Sequence, residues 1–155
     1  MRGLTFNIRR TISLLAFSMV AIASWSQWFE QNGIKYHYES ESRSVIVVNV
    51  FGKGTIVVPR TVVYNGQELP VTGMMPECFM NNKDVTSVCL YENIKEIPMY
   101  AFMGCSLERI DLSEGLEIIR KHAFESASNL KEVKLPQSLK VIEEGVAKSE
   151  HSHPV

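Results

Sequence analysis

Apolar positions in the C-terminal half of the chain recur at a nearly constant spacing. The pairs Cys78-Phe79, Ala101-Phe102 and Ala123-Phe124 place their phenylalanines 23 and then 22 residues apart. A large apolar residue stands five positions before each phenylalanine, as Met74, Ile97 and Ile119. A unit this short cannot bury its apolar side alone. The pattern therefore predicts copies that stack on one another to form a continuous core.

Each copy also contains a six-residue phrase in which apolar and polar residues alternate. The phrases are Val85–Leu90, Leu107–Leu112 and Leu130–Leu135, and each leads into a further apolar pair. Alternation predicts a short strand, with Ile110 and Leu112 pointing inward and Arg109 and Asp111 outward. Few residues separate each phenylalanine from the next strand, so we expect a turn or one helical turn there. The predicted fold is mainly β, a short solenoid of parallel strands with a 22–23-residue period.

These phrases resemble the repeats of BspA-type leucine-rich repeat proteins. Ile119–Phe124 and Leu130–Pro136 match the I-x-x-x-A-F and L-x-x-I-x-L-P parts of that repeat, and the resemblance covers residues 34–147. The proline of the phrase is replaced by Tyr91 and Ser113 in the middle copies, and the last copy has Val146-Ala147 where Ala-Phe is expected. The resemblance implies a bacterial surface protein that adheres to host matrix proteins or to other cells.

The residues before the repeats predict a β cap. Tyr36–Tyr38 and Val45–Val50 have strand character, and a third strand is expected at Thr55–Val58. Residues 24–33 are predicted to be a lead without regular structure, whereas Asn65-Gly66 signals a tight hairpin turn. The predicted division is a signal peptide at 1–23, lead and cap at 24–58, leucine-rich repeats at 59–147 and a polar tail at 148–155.

The first 23 residues have the three parts of a secretory signal peptide. Arg2, Arg9 and Arg10 precede twelve largely apolar residues, and Ala21-Ile22-Ala23 supplies a small-residue cleavage signal. A membrane anchor is the alternative, but a twelve-residue helix is about 18 Å long, against a hydrocarbon core of about 30 Å. We therefore expect export to the periplasm, the cell surface or the extracellular space, and no membrane span after the signal is removed.

Composition and charge narrow the classes of partner. A content of 45% hydrophobic and 21% charged residues is ordinary for a folded domain. Removal of residues 1–23 leaves 16 − 3 = 13 basic residues against 17 acidic ones, so the net charge becomes −4. This charge gives no reason to expect a nucleic-acid partner. Cys78 and Cys105 are expected to be small buried residues of the repeat core.

The outward strand positions form the candidate binding surface. They align as three columns, Thr86 with Glu108 and Lys131, Ser87 with Arg109 and Glu132, and Cys89 with Asp111 and Lys134. Neighbouring copies carry opposite charges, so the columns favour a surface that neutralises itself and sets the stacking register. The alternative is a protein-binding face formed by eight of these residues, Ser87, Cys89, Glu108, Arg109, Asp111, Lys131, Glu132 and Lys134.

No motif indicates chemistry. The chain lacks a nucleophile elbow, a phosphate-binding loop, a dinucleotide fingerprint and a zinc-protease helix, and His151 and His153 have no third ligand nearby. We therefore predict a protein that is not an enzyme, has no cofactor and no metal site, and binds host matrix proteins or another cell-surface protein. A truncated or purely structural repeat module is the alternative. The weak last copy is also consistent with self-association through the C-terminal end.

Overall fold

The computed structural model describes residues 27–146, which contain twelve β-strands and no helix. The predicted signal peptide at 1–23 and the tail at 148–155 lie outside the described residues. The strands are β1 (Trp28–Gln31), β2 (Ile34–Glu39), β3 (Ser44–Val50), β4 (Gly54–Val57), β5 (Thr61–Tyr64), β6 (Gln67–Met74), β7 (Val85–Cys89), β8 (Glu96–Ile97), β9 (Arg109–Asp111), β10 (Ile118–Ile119), β11 (Glu132–Lys134) and β12 (Val141–Ile142).

These strands form three sheets. The cap sheet has the order β1-β2-β3-β6-β5, the front sheet β11-β9-β7-β4 and the back sheet β12-β10-β8. All pairs in the front and back sheets are parallel, because each copy of the repeat contributes one strand to each. The predicted solenoid of parallel strands is confirmed.

Strand register confirms the period. In the front sheet Val88 lies opposite Ile110, 22 residues on, and Ile110 opposite Val133, 23 residues on. In the back sheet Ile97, Ile119 and Ile142 align with the same two offsets. The irregularity between 22 and 23 therefore belongs to the repeat and does not disturb the pairing.

A stack of phenylalanines runs through the core between the two sheets. The ring centroids of Phe79 and Phe102 are 4.7 Å apart, and those of Phe102 and Phe124 are 5.2 Å apart. All three rings are at most 5% exposed. The segments that carry them are turns, as expected, and Phe102 and Phe124 donate their N–H groups to the carbonyls of Ala123 and Val146. Val146 thus takes the position of an alanine, which agrees with the degenerate last copy.

The core of the repeats contains most of the residues predicted to face inward, together with two cysteines. Val88 of β7 and Ile110, which is aligned with it, are at most 2% exposed, and so is Val85 at the start of β7. Cys78 and Cys105 are 1% and 3% exposed and act as small apolar residues, as predicted. The last copy departs from this pattern, since Leu135 at the end of its front phrase is 48% exposed and Val141 and Ile142 of its back strand are 44% and 52% exposed.

The lead predicted at 24–33 is wrong over its described part, where residues 28–31 form strand β1. Two features stabilise this strand against β2. Asn32-Gly33 has φ angles of 52° and 74°, which suit a two-residue hairpin turn. Trp28 packs on His37 with ring centroids 4.3 Å apart, and Phe29 stacks on Tyr36 at 5.3 Å. The predicted tight turn at Asn65-Gly66 does join β5 and β6 as a hairpin. Asn32-Gly33 is the same sequence signal and joins β1 and β2.

Strand pairing also refines the division between cap and repeats. β4, predicted as part of the cap, pairs in parallel with β7 and opens the front sheet. β5 and the first half of β6, placed at the start of the repeats, form a hairpin of the cap sheet. The connection from β3 to β4 is held against the cap, because Phe51 and Gly52 both donate their N–H groups to the Gly33 carbonyl, at 2.8 Å and 3.1 Å. The first rung of the solenoid therefore begins within the cap.

Candidate functional site

The outward residues of the front sheet lie in the predicted columns, extended by β4. One row contains Thr55, Ser87, Arg109 and Glu132, and the next contains Val57, Cys89, Asp111 and Lys134. Parallel pairing brings each row together at strand spacing, about 4.8 Å per step. The described side chains of the predicted site therefore lie on or beside the front sheet, as Ser87, Cys89, Glu108, Arg109, Asp111, Lys131 and Lys134. The predicted site did not include the two positions from β4.

The charged half of this face is partly self-neutralised. Lys131 Nζ lies 3.4 Å from Glu108 Oε2, the pair expected between neighbouring copies. Arg109 instead donates to Asp111 of its own strand, with Nη2 3.0 Å from Oδ1. All four side chains are at least half exposed, so each pair contributes at most about 1 kcal/mol. The Lys131–Glu108 pair joins neighbouring copies and therefore favours their register, whereas the Arg109–Asp111 pair lies within one strand and has no such effect.

A shallow depression lies over this half of the face. Its volume is about 520 Å³, and it is lined by Glu108, Arg109, Ile110, Asp111, Lys131 and Lys134. Its charged side chains suit a contact with another protein surface. It is too open to enclose a small substrate.

The other half of the face, nearest the cap, is apolar and contains an aromatic residue that the predicted site lacks. Val57 is 48% exposed beside the half-buried Cys89. The guanidinium carbon of Arg60 lies 4.9 Å from the ring centroid of Tyr91, and Arg60 Nη1 lies 2.7 Å from Glu92 Oε1. Tyrosine and arginine are the residues most often found at interface hot spots. Tyr91 replaces the proline of the repeat phrase, which is the signal that could have identified it.

The cysteines differ in accessibility. All three are free thiols, and burial raises the pKa of Cys78 and of Cys105. Cys89 alone reaches the front face. Cys78 and Cys105 are therefore expected to be unreactive toward thiol reagents, whereas Cys89 on the candidate surface is accessible to them.

The back sheet carries a ladder of charges that sequence reasoning did not identify. Arg120 donates to Glu96 and to Glu143, each at 2.8 Å, and Lys140 Nζ lies 2.7 Å from Glu117 Oε2. The Arg120 guanidinium lowers the pKa of Glu143, and the Lys140 ammonium lowers that of Glu117. Glu143 lies 23 residues after Arg120 and Lys140 lies 23 residues after Glu117, so aligning these columns of the repeat would have identified both pairs. Glu96 lies 24 residues before Arg120 and pairs with it diagonally. We assign the ladder a structural role, because its charges satisfy one another.

The described residues offer no metal-binding cluster. Within residues 27–146, no three His, Cys, Asp or Glu side chains lie where they could hold a metal ion. His151 and His153 lie outside this range. None of the described residues belongs to a helix long and apolar enough to cross a membrane.

The stacked parallel strands and leucine-type repeats define this chain as a leucine-rich repeat protein. Residues 69–152, more than half of the sequence, match the family described as BspA type leucine rich repeat region, in six copies. The chain belongs to that family. Proteins of this class typically bind other proteins, and BspA-like members are generally not enzymes.

Solved structures share the fold. A leucine-rich repeat protein from Bacteroides capillosus ATCC 29799 is 25% identical, with a TM-score of 0.70 over 77% of this chain and 89% of that one. The leucine-rich repeat protein of T. pallidum is 31% identical, with a TM-score of 0.64 over 74% of this chain, which spans 52% of that protein. A leucine-rich cell surface protein of Faecalibacterium prausnitzii A2-165, 22% identical, has a TM-score of 0.63 over 74% of this chain and 32% of that one. Among curated protein sequences, none matches significantly.

Proposed function

We propose that this chain is an exported protein-recognition module that binds a protein partner, a host matrix protein or another cell-surface protein, through its front sheet. The observation that carries the proposal is the face itself. The described residues of the front sheet expose Val57 at one side of the face and the charged residues around Arg109 at the other. Apolar area beside polar and charged side chains supports the proposal, because protein interfaces combine both.

Export is supported by the signal-peptide pattern of residues 1–23. A bacterial surface location agrees with what the family resemblance implies. Cleavage after Ala23 would leave Ser24 as the first residue of the mature protein. N-terminal sequencing of the protein recovered from the periplasm or the medium tests this, and an intact Met1 on the exported protein would contradict it.

A purely structural role is the alternative, and one observation favours it. The ion pairs Lys131–Glu108 and Arg109–Asp111 neutralise most of the charged half without any partner. On this hypothesis the front face stabilises the stack and has no ligand of its own. The two hypotheses differ in what charge reversal on the face does to binding.

The test is saturable binding of the purified protein to a panel of immobilised host matrix proteins. The variant R109E/K134E reverses two exposed charges of the face. The matched control R43E/K53E makes the same change in net charge on exposed residues of the cap. Binding that the front-face variant weakens at least tenfold and the control leaves intact supports the proposal. Absence of saturable binding, or equal binding by both variants, refutes it.

A further inference from the structure

β4 is the edge strand of the front sheet, and half of its backbone groups point away from that sheet. Gly54 and Val58 donate their N–H groups to the carbonyls of Asp84 and Cys89, on the β7 side. Because backbone groups alternate along a strand, those of Thr55 and Val57 point to the opposite side. Successive groups on that side are about 6.7 Å apart, which is the repeat that another strand presents.

A groove runs beside this edge, between the front sheet and the cap. Its volume is about 350 Å³, and it is lined by Gln31, Asn32, Ile34, Tyr36, Val57, Pro59, Thr61 and Val62. Its lining carries no charged side chain, and burial raises the pKa of Tyr36 to about 12, so that phenol stays neutral. A charged side chain would lose its hydration here without gaining a counter-ion.

We propose that an extended, uncharged segment of a protein partner adds as a strand along the free edge of β4 and seats an apolar side chain in this groove. The free N–H and C=O groups of Thr55 and Val57 require alternating acceptors and donors, which a β-strand supplies. The neutral lining selects apolar and uncharged residues at the segment's centre. The inference rests on the proposed function only in that the ligand is a protein.

A proline substitution can block strand addition at this edge without disrupting the fold. Val57→Pro removes an N–H that does not bond to β7, so the front sheet keeps its hydrogen bonds. Val63→Pro is the matched control. Val63 is also an exposed valine of an edge strand. Val71 donates its N–H to the Arg60 carbonyl, and bonded pairs alternate with non-bonded pairs in an antiparallel hairpin. The N–H of Val63, three residues after Arg60, therefore points away from β6. Both variants are expected to melt within a few degrees of one another.

The probe is the capped peptide acetyl-Ser-Val-Thr-Val-Thr-Val-Ser-amide, titrated to millimolar concentration against the ¹⁵N-labelled protein. We expect the amide signals of Thr55 and Val57 to shift and their hydrogen exchange to slow. V57P is expected to bind at least tenfold more weakly than the wild type, and V63P to bind equally. The same peptide N-methylated at alternate residues is expected to lose binding to the wild type, a readout that does not depend on any variant folding.

Three results would overturn the inference: no shift with the wild type, equal binding by V57P, or equal binding of the N-methylated peptide. R109E/K134E is expected to bind the peptide normally, since its substitutions lie away from the edge of β4. Loss of matrix-protein binding in that variant therefore tests the proposed function alone. Loss of binding by the N-methylated peptide tests the β4 edge alone, because it changes no residue of the front face.

Discussion

Truncation of the central ring of the phenylalanine stack should remove much of the stability of the solenoid. Phe102 is fully buried and contacts a ring on each side, with centroids 4.7 Å and 5.2 Å away. A buried Phe→Ala change costs about 3–5 kcal/mol, and the loss of two ring contacts places F102A in the upper part of this range, at about 4–5 kcal/mol. Domains of this size have a total stability of about 5–15 kcal/mol, so F102A is expected to be marginally folded.

The assay is urea unfolding of the wild type, F102A, F102L and F51A, followed by circular dichroism. Phe51 is 54% exposed, so F51A should change the free energy of unfolding by less than about 0.5 kcal/mol. F102L keeps most of the buried apolar area and should lose about 1–2 kcal/mol, which stays measurable if F102A unfolds completely. If F102A and F51A unfold at the same urea concentration, the stack does not hold the repeats together.

Three further predictions concern backbone strain, pH and thiol chemistry. G115A should destabilise the protein by about 2–3 kcal/mol, because φ at Gly115 is +112° and the new Cβ would lie 2.8 Å from the Glu92 carbonyl oxygen. The control G66A, where φ is +74° and no atom lies within 4 Å of the new Cβ, should cost about 1 kcal/mol. Thermal unfolding measures both changes. Glu143 has a lowered pKa, so its contribution is present above its unfolded pKa of about 4.3 and is lost as pH falls through the lower folded value. The stability difference between the wild type and E143Q should therefore be present at neutral pH and shrink in acid, and a difference that grows in acid would contradict the Arg120 pairing. Iodoacetamide should modify Cys89 alone in the native protein and all three cysteines in denaturant, as counted by mass spectrometry; rapid native modification of Cys78 or Cys105 would refute their burial.

The repeat register could be predicted from the sequence because it depends on buried side chains. Ile110, Ile119 and Phe102 must each face the core. A register shift of one residue would move the apolar side chains of an alternating strand from the core to the solvent-exposed face. The columns of the front face followed directly from this register. The side-chain partners within the columns did not, since Arg109 reaches Asp111 of its own strand as easily as a neighbour's carboxylate, and exposed pairs differ little in energy.

The cap was less predictable because its strands pair across long stretches of sequence. β3 pairs with β6, more than twenty residues later, and with β2 on its other side. Alternation identifies each strand but does not state its neighbour. The strand β1 could have been predicted from Asn32-Gly33, whereas the assignment of β4 to the front sheet depends on its pairing with β7, whose residues lie 31–32 positions later.

The most direct test of the central claim is a hydrogen-exchange footprint of the protein bound to a matrix protein that it binds saturably in the panel. We predict that backbone amide hydrogens exchange more slowly in the front-sheet strands β4, β7, β9 and β11 when the partner is bound. Exchange in the back-sheet strands β8, β10 and β12 should be unchanged. Protection confined to the back sheet, or no protection in the front sheet at saturating partner, would contradict the assignment of the front sheet as the recognition surface.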